Sequence, residues 1–267
     1  MAFSNFALRA FSAVILAPAI LWIVWLGGGV FFLLLLTVIL LLVPEWSRLM
    51  GGGDEVSTNI VFATFAVSSL AAGWFVGYAA GLLVATGATC SVVFLTRRKN
   101  GKVLLPAFGT IYIIFPFLAL IWLRTQPVVG AGVVVWLFLV VWATDVFAYL
   151  IGRTVGGVKL APSLSPQKTW AGFLGGISCA GLVGGITGAY LMYLQEFVFD
   201  TWAASALWGI FIGFGAQIGD LGESWLKRRV MLKDSGNIIP GHGGLLDRVD
   251  GLMISTPTMA VLVWTIG

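Results

Sequence analysis

The sequence predicts an all-α integral membrane protein, a polytopic bundle of about nine transmembrane helices with a cytoplasmic N-terminus. This prediction depends on the composition, the length of the apolar runs and the distribution of the basic residues. Of the 267 residues, 59% are hydrophobic and only 10% are charged, whereas soluble domains carry about 25% charged residues. A chain with so little polar surface requires lipid around it, which excludes a soluble globular protein.

Apolar runs follow one another along the whole chain, each close to the length of about 20 residues that a helix needs to cross a bilayer. Only Gly27 to Gly29 separate the first two runs, so a helical hairpin fits the N-terminus better than a cleaved leader. No run alternates as a membrane strand would, and short turns between runs leave a range of about eight to ten spans. The runs cover residues 10–26, 30–46, 57–75, 77–95, 104–123, 131–152, 171–195, 202–222 and 252–267.

The basic residues fix the expected orientation. With nine spans and the N-terminus inside, every lysine and arginine of the total of 15 except Arg124 falls on the cytoplasmic side. Such a bias is typical of bacterial and other membrane proteins, whose cytoplasmic loops are enriched in Lys and Arg. The net charge of +4 therefore indicates orientation, and we expect no nucleic-acid partner. Helical spans with this bias predict residence in a cytoplasmic (inner) membrane, with the functional face towards the cytoplasm.

Glycines recur at three- and four-residue spacing within the seventh apolar run. Small residues at this spacing let helices approach closely in lipid, and no phosphate-loop motif accompanies them. They predict helix packing and not a nucleotide site. The glycines are Gly172, Gly175, Gly176, Gly181, Gly184, Gly185 and Gly188.

Acidic residues concentrate at the cytoplasmic ends of the later spans. Asp220, Ser224 and Lys227 have the spacing of one helix face, with Glu223 beside them. Asp145 lies inside the sixth apolar run, where an ionisable group is costly and points to function. A purely structural alternative pairs Asp145 with Arg153 or with a loop lysine.

The polar segment 224–250 supplies further candidates. Asp247 and Asp250 share a helix face if this segment begins the last helix. Several carboxylates at one depth, with His242 as the only histidine, predict a site for a hard cation, with Mg²⁺ favoured over zinc. The alternative is a network of salt bridges at the membrane surface.

Basic and hydroxyl side chains beside these carboxylates are candidates for phosphate binding. Lys168, Ser165 and Thr169 belong to the segment that leads into the seventh run, where they would face phosphates at a helix N-terminus or simply start and cap the helix. His242, among glycines, would donate to a phosphate or only fill a turn. Carboxylates, basic groups and bent backbone at a membrane surface indicate phosphoryl or nucleotidyl transfer. The phosphate candidates are Ser165, Lys168, Thr169, Ser224, Lys227, Arg228, Lys233, His242, Gly243, Gly244 and Arg248.

The polar segment resembles the signature of the phosphatidate cytidylyltransferases, also called CDP-diacylglycerol synthases. The resemblance covers about the C-terminal half of the chain, and Glu45 is matched in the N-terminal half. Ala171 and Gly251 depart from the family pattern, in which glutamate and serine are more usual at these positions. The matching residues are Ser224-x-Leu226-Lys227-Arg228, Lys233-Asp234-x-Gly236, Ile239-Pro240-x-His242-Gly243-Gly244-Leu245-x-Asp247-Arg248-Val249-Asp250, Asp145-x-x-x-Tyr149-x-x-Gly152-Arg153, the SPQKTW segment from Ser165, and Gly219-Asp220-x-x-Glu223-Ser224.

The resemblance implies a membrane nucleotidyltransferase of phospholipid biosynthesis, which joins CTP to phosphatidic acid and gives CDP-diacylglycerol and pyrophosphate with Mg²⁺. It implies Asp220 and Asp247 as the main metal ligands, and it leaves a second cation open. Asp145, Glu223 and Asp250 are implied as further ligands or as their support. The residues expected to act in catalysis are Asp220, Asp247, Lys227, Arg228 and His242.

Two regions and three classes of partner follow from this reading. We expect residues 1–103 to form about four spans and residues 104–267 to form the catalytic region, with cytoplasmic loops at 152–170 and 223–251. The expected partners are CTP, phosphatidic acid and membrane lipids, and a homodimer is left open.

The alternatives are a CTP-dependent enzyme acting on another lipid phosphate or on a polyprenol, and a transporter. A transporter predicts charges deep in several helices and inverted repeats, and neither is evident.

Overall fold

The computed structural model describes residues 2–49, 56–99, 104–232, 235–236 and 244–266, and these residues form nine helices and one small sheet. Each predicted apolar run falls on one helix. The elements are α1 (Ala2–Leu26), α2 (Gly28–Leu49), α3 (Val56–Phe75), α4 (Tyr78–Lys99), α5 (Leu104–Arg124), α6 (Gly130–Thr154), β1 (Lys159–Ala161), β2 (Ser165–Thr169), α7 (Trp170–Tyr193), α8 (Trp202–Arg229) and α9 (Leu246–Ile266).

Five helices in the described residues are long and apolar enough to cross a bilayer, namely α2, α6, α7, α8 and α9. Shorter apolar stretches lie in the other four helices, at Val14–Leu26, Asn59–Phe75, Tyr78–Phe94 and Phe108–Arg124. The chain is therefore a helical integral membrane protein. The count of nine spans and the cytoplasmic N-terminus stay predictions.

One small sheet departs from the predicted all-α chain. β1 and β2 form an antiparallel hairpin, in which Lys159 lies opposite Thr169 and Ala161 opposite Ser165. α7 begins at Trp170, one residue before the predicted start of the seventh run at residue 171. Ser165 to Thr169 form β2, so the alternative that this segment already belongs to the helix is wrong. Pro166 gives the physical reason, because a residue without an N–H suits an edge strand and a two-stranded sheet has only edges.

The helices that flank the polar segment are longer than their apolar runs. α8 continues past residue 222 to Arg229, and α9 begins at Leu246, before the run at 252–267. The ends of the predicted loop 223–251 are therefore helical. Asp247 and Asp250 lie in the first turns of α9, as the shared-face prediction requires.

The chain forms two compact units. The first comprises Met1–Trp122 with Val230–Arg248, and the second comprises Leu123–Arg229 with Val249–Gly267. In the first unit α2 packs on α3 and α3 on α4. α3 and α4 approach so closely that a Cβ atom on Gly81 would lie 2.9 Å from Cα of Gly73. Gly77, at φ +133°, makes the tight turn between these helices.

In the second unit, α7 packs against both α6 and α8. A Cβ atom on Gly176 would lie 2.8 Å from the carbonyl oxygen of Thr144 on α6, and one on Gly184 would lie 3.1 Å from Cα of Gly209 on α8. Trp136 of α6 donates from Nε1 to the carbonyl oxygen of Gly184 at 2.8 Å. The prediction that these glycines serve helix packing is confirmed.

Candidate active site

Three carboxylates of the second unit converge near the ends of α8 and α9. Asp220 and Glu223 lie about one turn apart on α8, and Asp250 lies near the start of α9. One ligand oxygen from each lies within 4.8 Å of the others. Glu223 is 1% exposed and Asp250 is 7% exposed. We call these residues the acidic triad. Because burying several carboxylates together is unfavourable without compensating cations, the acidic triad requires nearby positive charge.

Close packing of α8 against α9 brings the acidic triad together. A Cβ atom at Gly219 would collide with the carbonyl oxygen of Asp250, so only glycine permits this approach. Ser255 of α9 donates from Oγ to the carbonyl oxygen of Ile212 on α8 at 3.1 Å. Oδ1 of Asp250 accepts the N–H of Gly251 at 2.7 Å. Helix packing and local backbone contacts therefore fix the position of the Asp250 carboxylate.

Two lysines supply positive charge to the acidic triad. Nζ of Lys168 lies 2.6 Å from Oδ2 of Asp220, and the two side chains are 19% and 32% exposed. Nζ of Lys227 lies 3.2 Å from Oε2 of Glu223, one turn away on the same helix. These ion pairs belong to the salt-bridge network that the sequence offered as an alternative. The same carboxylates nevertheless converge, which a set of separate surface pairs does not explain.

The β1–β2 hairpin carries Lys168 to Asp220. Thr169 ends β2 and caps α7, since its Oγ1 accepts the N–H of Gly172 at 3.1 Å. The predicted capping role of Thr169 is confirmed. Nε of Arg228, an exposed residue of α8, donates to the carbonyl oxygen of Leu164 in the hairpin turn at 3.1 Å. Arg228 thus holds the hairpin against the end of α8 and contributes to the position of Lys168.

Asp145 belongs to the same unit and lies on α6. Its side chain is exposed, and it is close enough to Asp250 for the two carboxylates to repel each other. Arg153, the expected structural partner of Asp145, donates from Nη1 to the hydroxyl oxygen of Tyr149 at 2.7 Å. Asp145 is thus an acidic neighbour of the triad.

Residues 7–266 match the sequence model of the Cytidylyltransferase family. The chain belongs to this family. It is 37% identical over 266 residues to the phosphatidate cytidylyltransferase of Brucella abortus biovar 1 (strain 9-941), covering 94% of this chain and 90% of the relative.

Relatives from two other bacteria carry the same name. The phosphatidate cytidylyltransferase of Rickettsia bellii (strain RML369-C) is 37% identical over 183 residues, covering 68% of this chain and 78% of the relative. That of Staphylococcus aureus (strain COL) is 42% identical over 134 residues, half of each chain.

Asp247 belongs to the first unit, whereas the acidic triad belongs to the second. Its Oδ2 accepts the N–H of Gly244 at 2.9 Å and the N–H of Ser235 at 3.4 Å. Gly244, a predicted phosphate-binding residue, therefore uses its N–H for Asp247. Two main-chain donors within the polar segment therefore orient the Asp247 carboxylate.

The remaining predicted site residues are divided between described and undescribed parts of the chain. Ser224 lies half-buried on α8 next to Glu223, Ser165 lies half-buried in β2, and Arg248 is exposed on α9. Lys233, His242 and Gly243 lie outside the described residues, so their predicted roles stay predictions.

Glu45 is the residue that the sequence prediction of the site left out. It lies in α2, is 1% exposed, and accepts hydrogen bonds from Ser235, Leu245 and Leu246. The available signal was an acidic residue at the end of a long apolar run, at a position that matches the family. Its partners could not be predicted because they lie about 200 residues away in the sequence.

The donor set of the acidic triad fits a metal ion. Its three carboxylates offer oxygen atoms that converge on one point, with neither thiolate nor imidazole among them. Oxygen-only donors suit hard divalent cations. The two lysines that now pair with Asp220 and Glu223 are long and flexible, so they can exchange one anionic partner for another. The acidic triad can therefore hold a divalent cation.

Proposed function

We propose that this chain catalyses the reaction of CTP with phosphatidic acid to give CDP-diacylglycerol and pyrophosphate, with Mg²⁺ bound at the acidic triad. The observation that carries the proposal is the acidic triad with its two lysines, in a chain that matches the Cytidylyltransferase family over residues 7–266. The names of the relatives specify phosphatidate as the acceptor.

The chemistry requires little acid–base catalysis from the protein. An oxygen of the phosphatidic acid phosphate attacks the α-phosphorus of CTP, a new P–O bond forms, and the bond to the β-phosphate breaks with release of pyrophosphate. The acceptor phosphate is ionised near neutral pH because its second pKa is about 6. What the protein supplies is positioning and positive charge.

The proposed Mg²⁺ ligands are Asp220, Glu223 and Asp250, with Asp145 and Asp247 as further ligands or supports. When bound, the cation would neutralise phosphate charge and favour departure of pyrophosphate. Asp220 is the leading candidate because its side chain is the most exposed of the acidic triad and already attracts the ammonium group of Lys168. A second cation would engage the same acidic residues.

Lys168 and Lys227 are the proposed first contacts for the phosphates. Each is half-buried and paired with a carboxylate of the acidic triad, so each lies where a nucleotide triphosphate would meet the cation. The hydroxyls of Ser165, Thr169 and Ser224 are proposed as additional donors. Lys233, His242, Gly243, Gly244, Arg228 and Arg248 complete the proposed phosphate-binding set.

The proposed membrane arrangement has the acidic triad at the cytoplasmic face of a bacterial inner membrane. CTP would arrive from the cytoplasm, and phosphatidic acid would enter from the bilayer with its phosphate at the interface. All basic residues except Arg124 would lie on this side. Labelling of single cysteines introduced at Asp200 and at Lys159 in intact cells checks the orientation, since only Asp200 would face outward.

The decisive experiment follows pyrophosphate release and lipid product formation by the purified chain in detergent. We expect CDP-diacylglycerol from CTP and phosphatidic acid when Mg²⁺ is present, and none in excess chelator. A panel of other lipid phosphates, polyprenols and nucleotides tests the alternatives.

The outcomes separate the candidate functions. Pyrophosphate release with another lipid phosphate but not with phosphatidic acid would reassign the acceptor. Transfer of the γ-phosphate to a polyprenol, without pyrophosphate, would indicate a kinase. Full activity in chelator would refute the cation at the acidic triad.

A further inference from the structure

Glu45 is a buried carboxylate of the first unit whose hydrogen bonds to described residues lead to a distant part of the chain. It lies near the C-terminal end of α2 and is 1% exposed. Its Oε1 accepts the N–H of Leu245 at 2.8 Å, and its Oε2 accepts the N–H of Leu246 at 2.8 Å. Oε2 also accepts the hydroxyl of Ser235 at 3.0 Å. One side chain therefore joins Ser235 to the start of α9.

These donors include the start of α9. The first N–H groups of a helix have no partner within the helix and carry the positive end of its dipole, where a negative charge is stabilising. Leu245 and Leu246 are the residues at which α9 begins. Glu45 thus caps α9 from another helix, a task that a side chain of the same segment ordinarily performs.

Two glycines, Gly236 and Gly244, leave room for the carboxylate of Glu45. A Cβ atom on Gly236 would lie 2.8 Å from Cδ of Glu45, and one on Gly244 would lie 2.9 Å from Oε2 of Glu45. A side chain at either position would displace the carboxylate. Both glycines belong to the polar segment that resembles the cytidylyltransferase signature, and Glu45 gives a physical reason for their small size.

The same backbone also holds Asp247. Oδ2 of Asp247 accepts the N–H groups of Ser235 and Gly244. The hydroxyl of Ser235 also donates to Glu45, and Gly244 lies beside the Glu45 carboxylate. The same few residues of the polar segment therefore position the carboxylates of both Glu45 and Asp247. A displacement of Ser235, Gly244 or Leu245 after loss of Glu45 would move the Asp247 carboxylate as well.

We propose that Glu45 is a positioning residue for the reaction: it holds the start of α9 and so fixes the carboxylate of Asp247. This inference rests on the proposed function, in which Asp247 is a ligand or a support of the cation. Glu45 itself touches neither substrate nor cation. Its effect passes through the main chain of Ser235 and of residues 244–246.

The test compares Glu45→Gln with Thr110→Val, a matched control in the same unit. Thr110 is 1% exposed and shares a hydrogen bond of 2.8 Å with Thr89, so its loss also removes a buried polar contact. Gln has one acceptor oxygen and an NH₂ group that only donates, so it cannot serve both oxygens' partners. Ser235→Ala, which removes one of the three hydrogen bonds, is the milder variant if Glu45→Gln does not fold.

Three readouts are measured on each purified variant: hydrogen exchange of the peptide that contains Leu245 and Leu246, Mn²⁺ affinity by electron paramagnetic resonance, and kcat and KM for CTP. We expect Glu45→Gln to exchange faster at this peptide and to lose about 10-fold or more in Mn²⁺ affinity and kcat/KM, the usual cost of losing a support of a metal ligand. Ser235→Ala should show smaller changes in the same direction. Glu45→Asp should recover part of the loss. Thr110→Val should lower thermal stability but leave all three readouts near wild type.

Each outcome decides the proposal. Unchanged exchange in Glu45→Gln would refute the capping contact. Faster exchange with unchanged Mn²⁺ affinity and kcat/KM would leave Glu45 as a stabilising cap only and overturn the positioning role. Equal losses in Thr110→Val would show a general effect of destabilisation and overturn it too. If the wild-type chain does not use CTP and phosphatidic acid, the proposed function fails, while exchange and Mn²⁺ affinity still test Glu45.

Discussion

The two groups of carboxylates in this protein are satisfied in different ways. In the acidic triad, Asp220 and Glu223 pair with the ammonium groups of Lys168 and Lys227. In the first unit, Glu45 and Asp247 accept mainly main-chain N–H groups. Lysine side chains can move to another anion, whereas main-chain donors cannot move without the helix. The difference separates carboxylates that can exchange partners during a reaction from carboxylates that keep the backbone in place.

The largest expected effect tests one carboxylate from each group. Asp220→Asn and Asp247→Asn should each lower turnover by at least about 100-fold, the usual cost of removing one electrostatic stabiliser from an active site. Initial rates of CDP-diacylglycerol formation measure this loss. Asp200→Asn, an exposed acidic residue outside both groups, is the control. A near-normal rate for Asp247→Asn alone would restrict the chemistry to the acidic triad.

Lys168→Met should act in opposite directions on two measurements. Turnover should fall by about 10- to 100-fold because hydrogen bonds to charged groups contribute about 1.5–3 kcal/mol. Mn²⁺ affinity should rise, since the ammonium group of Lys168 no longer competes for Oδ2 of Asp220. Lys159→Met, at an exposed residue of β1 in the same hairpin, is the matched control. Weaker Mn²⁺ binding by Lys168→Met would contradict the idea that this lysine exchanges partners.

Arg228→Ala should have a moderate effect through the hairpin. Loss of the hydrogen bond to Leu164 removes about 1 kcal/mol and loosens the position of Lys168, so we expect about a fivefold fall in kcat/KM for CTP. Arg229→Ala is the control, because Arg229 lies over the ring of Trp225 at 5.3 Å. Equal effects of the two substitutions would indicate loss of basic charge at the end of α8, independent of the hairpin.

The smallest expected effect concerns Gly251, one of the two residues at which the chain departs from the signature that it resembles. A Cβ atom there would lie 3.1 Å from Cγ1 of Val141 and 3.4 Å from Cβ of Ala216, and Val141 is a side chain that can adjust. Gly251→Ser should therefore change stability by about 1 kcal/mol or less and leave turnover within about twofold. Thermal unfolding and initial rates measure both. Gly219→Ala, whose neighbour is backbone, should be clearly worse, and the reverse order would contradict the described packing of α8 on α9.

The helices and several of the converging side chains could be predicted from the sequence because they follow from local spacing. Apolar runs of sufficient length predict helices, and Asp220 and Glu223 share a face through their three-residue separation. The glycines of α7 predict close packing for the same reason. These predictions need no knowledge of which segments meet.

The hairpin and the role of Glu45 could not be predicted in the same way. β2 has five residues, too few for a period of two to be recognised against Pro166 and the polar residues around it. The contacts of Lys168 with Asp220 and of Glu45 with Leu246 join residues far apart in sequence. Such pairs depend on how whole helices pack, and neither side chain carries a local pattern that indicates its partner.

The ion pairs of the acidic triad have a consequence for the synthesis of the protein. A nascent chain must insert α8 and α9 into the membrane before any nucleotide binds, and uncompensated carboxylates would oppose that step. Lys168 and Lys227 belong to the same polypeptide, so they can neutralise Asp220 and Glu223 as the helices fold. The two helices can thus insert without an ion taken from solution, and we expect the proposed cation to act only in turnover.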